Sequence, residues 1–153
     1  EFNIRTYVRY KTYQGIYFLT LDVNNKFIPM CVNNIFKLNY NNTFLSYKTK
    51  KHSKSAVWDN KIYNINKLCI KFEVGKSITD SSFSNFIAEN YLYISKNKNS
   101  IYYNKVYHNK WNLNYVTVKS ISEFNLFGQN KIHSAFYCDK LKVRTGFPVR
   151  LSK

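Results

Sequence analysis

Over short stretches of this chain apolar residues recur at every second position. In Ile16-Tyr17-Phe18-Leu19-Thr20-Leu21-Asp22-Val23, and again in Leu68-Cys69-Ile70-Lys71-Phe72-Glu73-Val74, the alternation has the period of a half-buried strand. Runs dominated by Tyr, Phe, Ile and Val predict further strands at 4–10, 35–40, 44–50, 58–65, 91–95, 101–107, 115–119 and 141–144. Asn-rich breaks separate them, and no stretch between them carries a convincing amphipathic helical period. The pattern predicts an all-β chain built as an antiparallel sandwich or barrel, with a short helix or long loop over the less legible 120–136. Neither a repeat nor a linker interrupts it, so a single domain spanning 1–153 is expected. Phe136, Leu141, Val143, Phe147 and Val149 predict that the tail returns to that domain.

Length and composition agree with a folded domain. A chain of 153 residues with 44% hydrophobic and 18% aromatic residues can bury a core without disulfides or metal. Charge adds a partner class: 24 Lys and Arg against 8 Asp and Glu leave a formal +16, a field that favours polyanions such as nucleic acid or an anionic membrane leaflet. Part of that excess has a second source, because Asn, Lys, Ile, Tyr and Phe are inflated together, as in proteins of AT-rich genomes. Cys31, Cys69 and Cys138 form no paired pattern and no CxxC, which suggests a reducing compartment and neither a disulfide framework nor a zinc site. No apolar stretch approaches the roughly 20 residues of a membrane span, and the abrupt opening Glu1-Phe2 suggests a piece of a longer protein.

One local pattern carries a family resemblance. The lysine-rich Lys48-Thr49-Lys50, a polar turn, and Trp58 opening the next strand resemble the basic strand of a C2 domain. Leu19, Leu21 and Val23 followed by Ile28-Pro29-Met30 are similar to that family's first long strand and loop, and Ile35-Phe36-Lys37-Leu38 to its next strand. Asn85-Phe86-Ile87-Ala88-Glu89 and Lys110-Trp111-Asn112-Leu113 resemble later segments in the same order, so the likeness covers roughly 16–115. The resemblance implies an eight-stranded antiparallel C2-type sandwich.

It also implies what this chain would lack. Cys31, Asn33, Val74, Lys76 and Asn85 stand at or near the family's calcium-ligand aspartates, and only Asp80 and Asp22 lie close enough to compensate. Calcium takes six to eight oxygen ligands, so no metal site and no cofactor are expected. Binding would then reside on the basic face, with Lys37, Tyr47, Lys48, Lys50, Lys51, His52 and Lys54 meeting phospholipid or phosphoinositide headgroups. About 1 kcal/mol for each basic residue near an anionic leaflet gives roughly 4 kcal/mol for Lys48, Lys50, Lys51 and Lys54, which is millimolar affinity and calls for a second anchor. Phe27, Ile28, Met30 and Phe83, placed by the resemblance in the loops at one end, are the membrane-inserting candidates. Two plainer readings remain open: the lysines would protect an edge strand from pairing, and the loop residues would pack as core.

Catalysis has little support. His52, His108 and His133 have no motif partners, and no Gly-rich phosphate loop, nucleophile elbow or HExxH occurs. The expectation is a non-enzymatic module on the cytosolic face of a membrane, binding anionic phospholipid independently of calcium and taking no small-molecule substrate. A protein-interaction scaffold is the alternative. Nucleic-acid binding ranks lower, since neither an RNP pattern nor a zinc-knuckle spacing is present.

Overall fold

The structure is a computed structural model that describes residues 1–50, 53–60, 65–79, 81–122 and 132–151. Among the described residues the chain is mostly strand, with twelve β-strands in two sheets and two short helices. It divides into two compact units, each holding one of the sheets. Unit 1 is Glu1–Asn42, Ser82–Trp111 and Leu141–Lys153, and unit 2 is Thr43–Ser81 and Asn112–Lys140.

In unit 1, β1 (Phe2–Tyr10) and β2 (Tyr13–Val23) form a hairpin whose turn holds Lys11 at φ 54°. The first half of β2 runs parallel to β7 (Leu92–Asn97) at Ile16↔Tyr93, and its last residues run parallel to β3 (Tyr40–Asn42). Close approach at Ile16 depends on Gly15, where a Cβ would stand 2.5 Å from the Leu92 carbonyl oxygen. Strand β8 (Ser100–His108) pairs antiparallel with β7 and takes β11 (Val143–Thr145) and β12 (Val149–Leu151) along its other edge. The described tail therefore adds strands to this sheet.

Ile16, Leu21, Leu38 and Tyr93 form the core of unit 1, with Phe18 edge-on to Tyr93 at 5.9 Å. Strict alternation stops at the end of β2, where Thr20, Leu21, Asp22 and Val23 are all buried. The buried polar pair is satisfied locally: Thr20 Oγ1 donates to Asp22 Oδ1 (2.9 Å), as does Asn41 Nδ2 from β3 (3.2 Å).

Helix α1 (Phe27–Phe36) occupies a stretch whose composition predicted a loop and a strand. Pro29 falls in the first turn, where its missing N–H is an orphan in any case. Asn25 Oδ1 accepts from the Phe27 N–H (2.8 Å), Lys37 ends the helix in a left-handed conformation at φ 56°, and Lys37 Nζ donates to the Asn34 carbonyl (2.6 Å). Helix α2 (Ser82–Ala88) is held to β1, since Arg5 Nη2 and Tyr7 Oη both donate to the Ile87 carbonyl (2.9 and 3.0 Å).

In unit 2, β4 (Phe44–Thr49), β5 (Lys54–Asn60), β6 (Ile65–Ser77), β9 (Asn114–Ile121) and β10 (Phe136–Tyr137) lie in the order β10-β9-β6-β5-β4, all antiparallel. Trp58, buried to 2% exposure and paired with Leu68, anchors its core. Although β9 and β6 separate β10 from β5 in that order, Lys54 Nζ lies 4.7 Å from the centre of the Tyr137 ring. The sheet is curled enough for side chains to meet across its hollow face.

The all-β expectation agrees with this architecture. An eight-stranded antiparallel sandwich does not describe it, because β2 runs parallel to both β3 and β7 and two helices interrupt the strand sequence.

Candidate functional site

The basic residues expected to act together are distributed differently by the strand register. Directly opposed residues share a sheet face, and the pairs Tyr47↔Ala56, Lys48↔Ser55 and Thr49↔Lys54 put Tyr47 and Lys54 on one face and Lys48 on the other. Lys54 Nζ sits over the rings of Tyr47 (5.8 Å) and Tyr137 (4.7 Å), and its pKa is raised by a hydrogen bond with Tyr137 before any other cause. The Tyr137 hydroxyl donates to Asp139 Oδ1 (2.7 Å), which lifts its pKa to about 12. At Tyr47 partial burial pushes the pKa up, but hydrogen bonds with Tyr137, Thr49 and Lys54 outweigh it and the net direction is down. Lys54 is thus engaged inside unit 2. Lys48 lies on the terminal strand β4, Lys50 follows it, and both are exposed. Lys51 and His52 lie outside the described residues. Lys37, in unit 1, closes helix α1 by donating to the Asn34 carbonyl, with further ammonium donors to spare.

The inserting candidates are on helices. Phe27, Ile28 and Met30 belong to α1, with exposures of 61%, 37% and 69%, and Phe83 belongs to α2. Helical spacing sets Phe27, Met30 and Cys31, Asn34 and Ile35 along one exposed side of α1, while Phe36 turns inward to the core cluster. No residue of α1 is buried. The helix offers an apolar stripe with Lys26 before it and Lys37 after it, and Lys26 Nζ reaches over the Phe27 ring at 5.4 Å.

The positions aligned with calcium-binding loops are not loops. Cys31 and Asn33 lie within α1, Val74 and Lys76 within β6, and Asn85 within α2, while Asp80 is outside the described residues. Asn33 is structural: its side chain accepts from the Tyr40 N–H (2.7 Å) and donates to the Tyr40 carbonyl (3.0 Å). No group of three or more His, Cys, Asp or Glu side chains able to hold a metal ion occurs among the described residues.

A family profile, DUF2071, described as an uncharacterized conserved protein, matches residues 1–142. The chain belongs to the DUF2071 family. This overturns the C2 resemblance and the assignment as a C2 lipid-binding domain. The ordered fragments that carried the likeness were short Phe- and Lys-rich pieces, and α1 and the long unbroken β6 replace the loops on which it relied. The chain is also similar to the uncharacterized protein YqjF of Bacillus subtilis (strain 168), 26% identical over 116 residues, covering 72% of this chain and 47% of YqjF. The chain therefore spans about half the length of the curated relative it matches. No solved structure matches it.

Sequence reasoning also missed a constellation in unit 1 formed by Glu89, Tyr91, His108 and Trp111. The Tyr91 hydroxyl donates to Glu89 Oε2, the Trp111 backbone N–H donates to Glu89 Oε1 (2.9 Å), and the His108 ring stacks on Tyr91 at 4.5 Å with Trp111 edge-on at 5.9 Å. No motif spacing marks such a cluster. Its one signal was a carboxylate, rare in this chain, standing two residues before a tyrosine.

Proposed function

We propose that the chain docks peripherally on an anionic membrane surface, with α1 as the contact. The observation that carries this reading is the outward apolar stripe of α1, where Phe27 and Met30 are 61% and 69% exposed between Lys26 and Lys37. A short helix with apolar residues outward and cations at its ends suits the headgroup boundary of a bilayer, where rings and thioethers leave water while ammonium groups stay among phosphates. No helix among the described residues is long and apolar enough to cross a membrane, so the helix is read as lying on the surface.

Magnitudes explain why the stripe matters more than charge. Clustered lysines contribute about 1 kcal/mol each near an anionic leaflet. Burial of Phe27 and Met30 adds about 2 kcal/mol apiece, together worth roughly three powers of ten in affinity. The stripe is the second anchor that charge alone lacked. This reading asks for no catalytic step, cofactor or metal.

Vesicle co-sedimentation tests it. The chain is expected to sediment with phosphatidylcholine vesicles containing phosphatidylserine, to bind pure phosphatidylcholine much more weakly, and to lose affinity with added salt. Chelator should change nothing. Equal partition to both vesicle types, or to neither, sinks the proposal.

A further inference from the structure

Unit 1 contains an open cleft of about 660 Å³, within the size range of small-molecule sites. Gln14, just before the close approach of Gly15 to Leu92, lines it together with Tyr91 and Leu92 at the head of β7. Its walls are aromatic. Phe86 projects from α2 with its ring 4.7 Å from that of Tyr7, while Tyr91 and Tyr107 are 47% and 55% exposed.

The polar groups of the cleft are not equally available. Glu89 is committed, since one carboxylate oxygen takes the Tyr91 hydroxyl and the other the Trp111 backbone N–H. Those bonds and the stack on His108 hold Tyr91 as a fixed wall. His108 stands behind Tyr91 and is not among the residues that line the cleft; the carbonyls of Asn109 (2.9 Å) and Asn90 (3.3 Å) lie beside its ring nitrogens, and its N–H can donate to one of them. Lys105 is different. It stands across the strand pair from Leu92, is exposed, and has no hydrogen-bond or carboxylate partner for its ammonium group among the described residues. Gln14 accepts from Arg9 Nη2 through its oxygen (3.4 Å), which leaves its amide N–H groups for a ligand.

The polar groups left open include two donors, the Lys105 ammonium and the Gln14 amide, beside mainly apolar walls. We propose that this cleft binds a small carboxylate with a flat apolar body, the carboxylate meeting Lys105 and Gln14 and the body lying between Phe86, Tyr91 and Tyr107. A phosphoester fits less well, because one cation serves the site and the lining is mainly apolar. The proposal departs from the expectation of no small-molecule ligand and is independent of the membrane reading.

Calorimetric titration of the full chain with 2-naphthoate, and in parallel with its neutral counterpart 2-naphthamide, tests it. Naphthoate is expected to bind saturably at one site, with naphthamide at least tenfold weaker. Lys105→Met should weaken naphthoate at least tenfold and abolish the preference over naphthamide, and Tyr107→Ala should weaken both compounds. Lys98→Asn removes a cation from the turn at the other end of the β7–β8 hairpin, where the residue already has φ 52°, and controls for general attraction to a basic chain. It should leave naphthoate binding unchanged. No saturable naphthoate binding, equal affinity for the two compounds, or equal losses in the Lys105 and Lys98 variants would each overturn the proposal.

Discussion

Helix α1 and the β4–β5 hairpin both set lysines beside aromatic rings, yet they spend them differently. In the hairpin Lys54 lies over Tyr47 and Tyr137, so its charge helps hold the hollow face of one sheet together. At α1 Lys26 lies over the ring of Phe27, and the apolar stripe beyond it is exposed. A count of basic residues treats these regions alike. What separates them is whether the rings and cations satisfy one another inside the fold or remain available to something outside it.

The widest separation should come from vesicle binding. Changing Phe27 and Met30 together to Ser is expected to cost roughly a thousandfold in affinity for phosphatidylserine vesicles, while stability changes by less than about 0.5 kcal/mol per site because both side chains are exposed. Lys48→Ala with Lys50→Ala should cost no more than about thirtyfold, the worth of two cations near a leaflet. If co-sedimentation ranks the two double variants the other way, the contact is the hairpin and not the helix.

Loss of binding must also be told apart from loss of fold. Gly15→Ala would drive a Cβ to 2.5 Å from Leu92 O and 2.6 Å from Leu92 Cδ2, and should destabilise the protein by about 1–3 kcal/mol without touching α1. Its denaturant midpoint should fall, and below that midpoint its vesicle affinity should match the parent's.

Much of the fold was legible, and the reasons are local. The alternation at 16–23 and 68–74 found β2 and β6 because strand period and burial are written in neighbouring residues. It blurred at Asp22, where β3 pairs along the edge of β2 and residues pointing to both faces are buried, a tertiary effect that no window of β2 contains. Helix α1 was hidden because Phe27-Ile28-Pro29-Met30 reads as loop and strand composition. Pro29 looks like a breaker unless the helix start is placed two residues before it. Of the candidate site, Phe27 and Met30 were left open between lipid insertion and core packing, and their helix was not read. The grouping of Lys54 with Tyr137 was invisible, because the partner arrives from a distant strand.

The hairpin half of the comparison can be sharpened by stability alone. Lys54→Ala should lower the melting temperature by no more than a few degrees, whereas Lys48→Ala should leave it unchanged. Equal effects would mean that Lys54 is no more integral to the sheet than its exposed neighbour.

The smallest effect is alkaline. The hydrogen bond to Asp139 raises Tyr137 from its ordinary 10.0 to about 12. A raised folded-state pKa contributes stability that is fully present below the unfolded value and is lost as pH climbs through the folded one. The slight weakening due to Tyr137 therefore belongs to the window from pH 10 to about 12. Phenolate absorbance should show Tyr137 titrating late alongside Tyr40, Tyr91 and Tyr93, which are also raised, and Asp139→Asn should move only the Tyr137 share of that late step to lower pH.

The order in which strands meet has a consequence for biosynthesis. Unit 1 is drawn from three separate segments, and β2 must wait for Tyr93 before Ile16 finds its neighbour. During translation the β1–β2 hairpin would emerge early with an unpaired aromatic edge, while Thr43–Ser81 of the other unit follows before that edge is covered. High contact order of this kind slows folding and lengthens the interval in which a nascent chain can associate with its neighbours. Slowing the ribosome at the codons just after Asn42 should therefore lower soluble yield, and a holdase chaperone supplied at that moment should restore it.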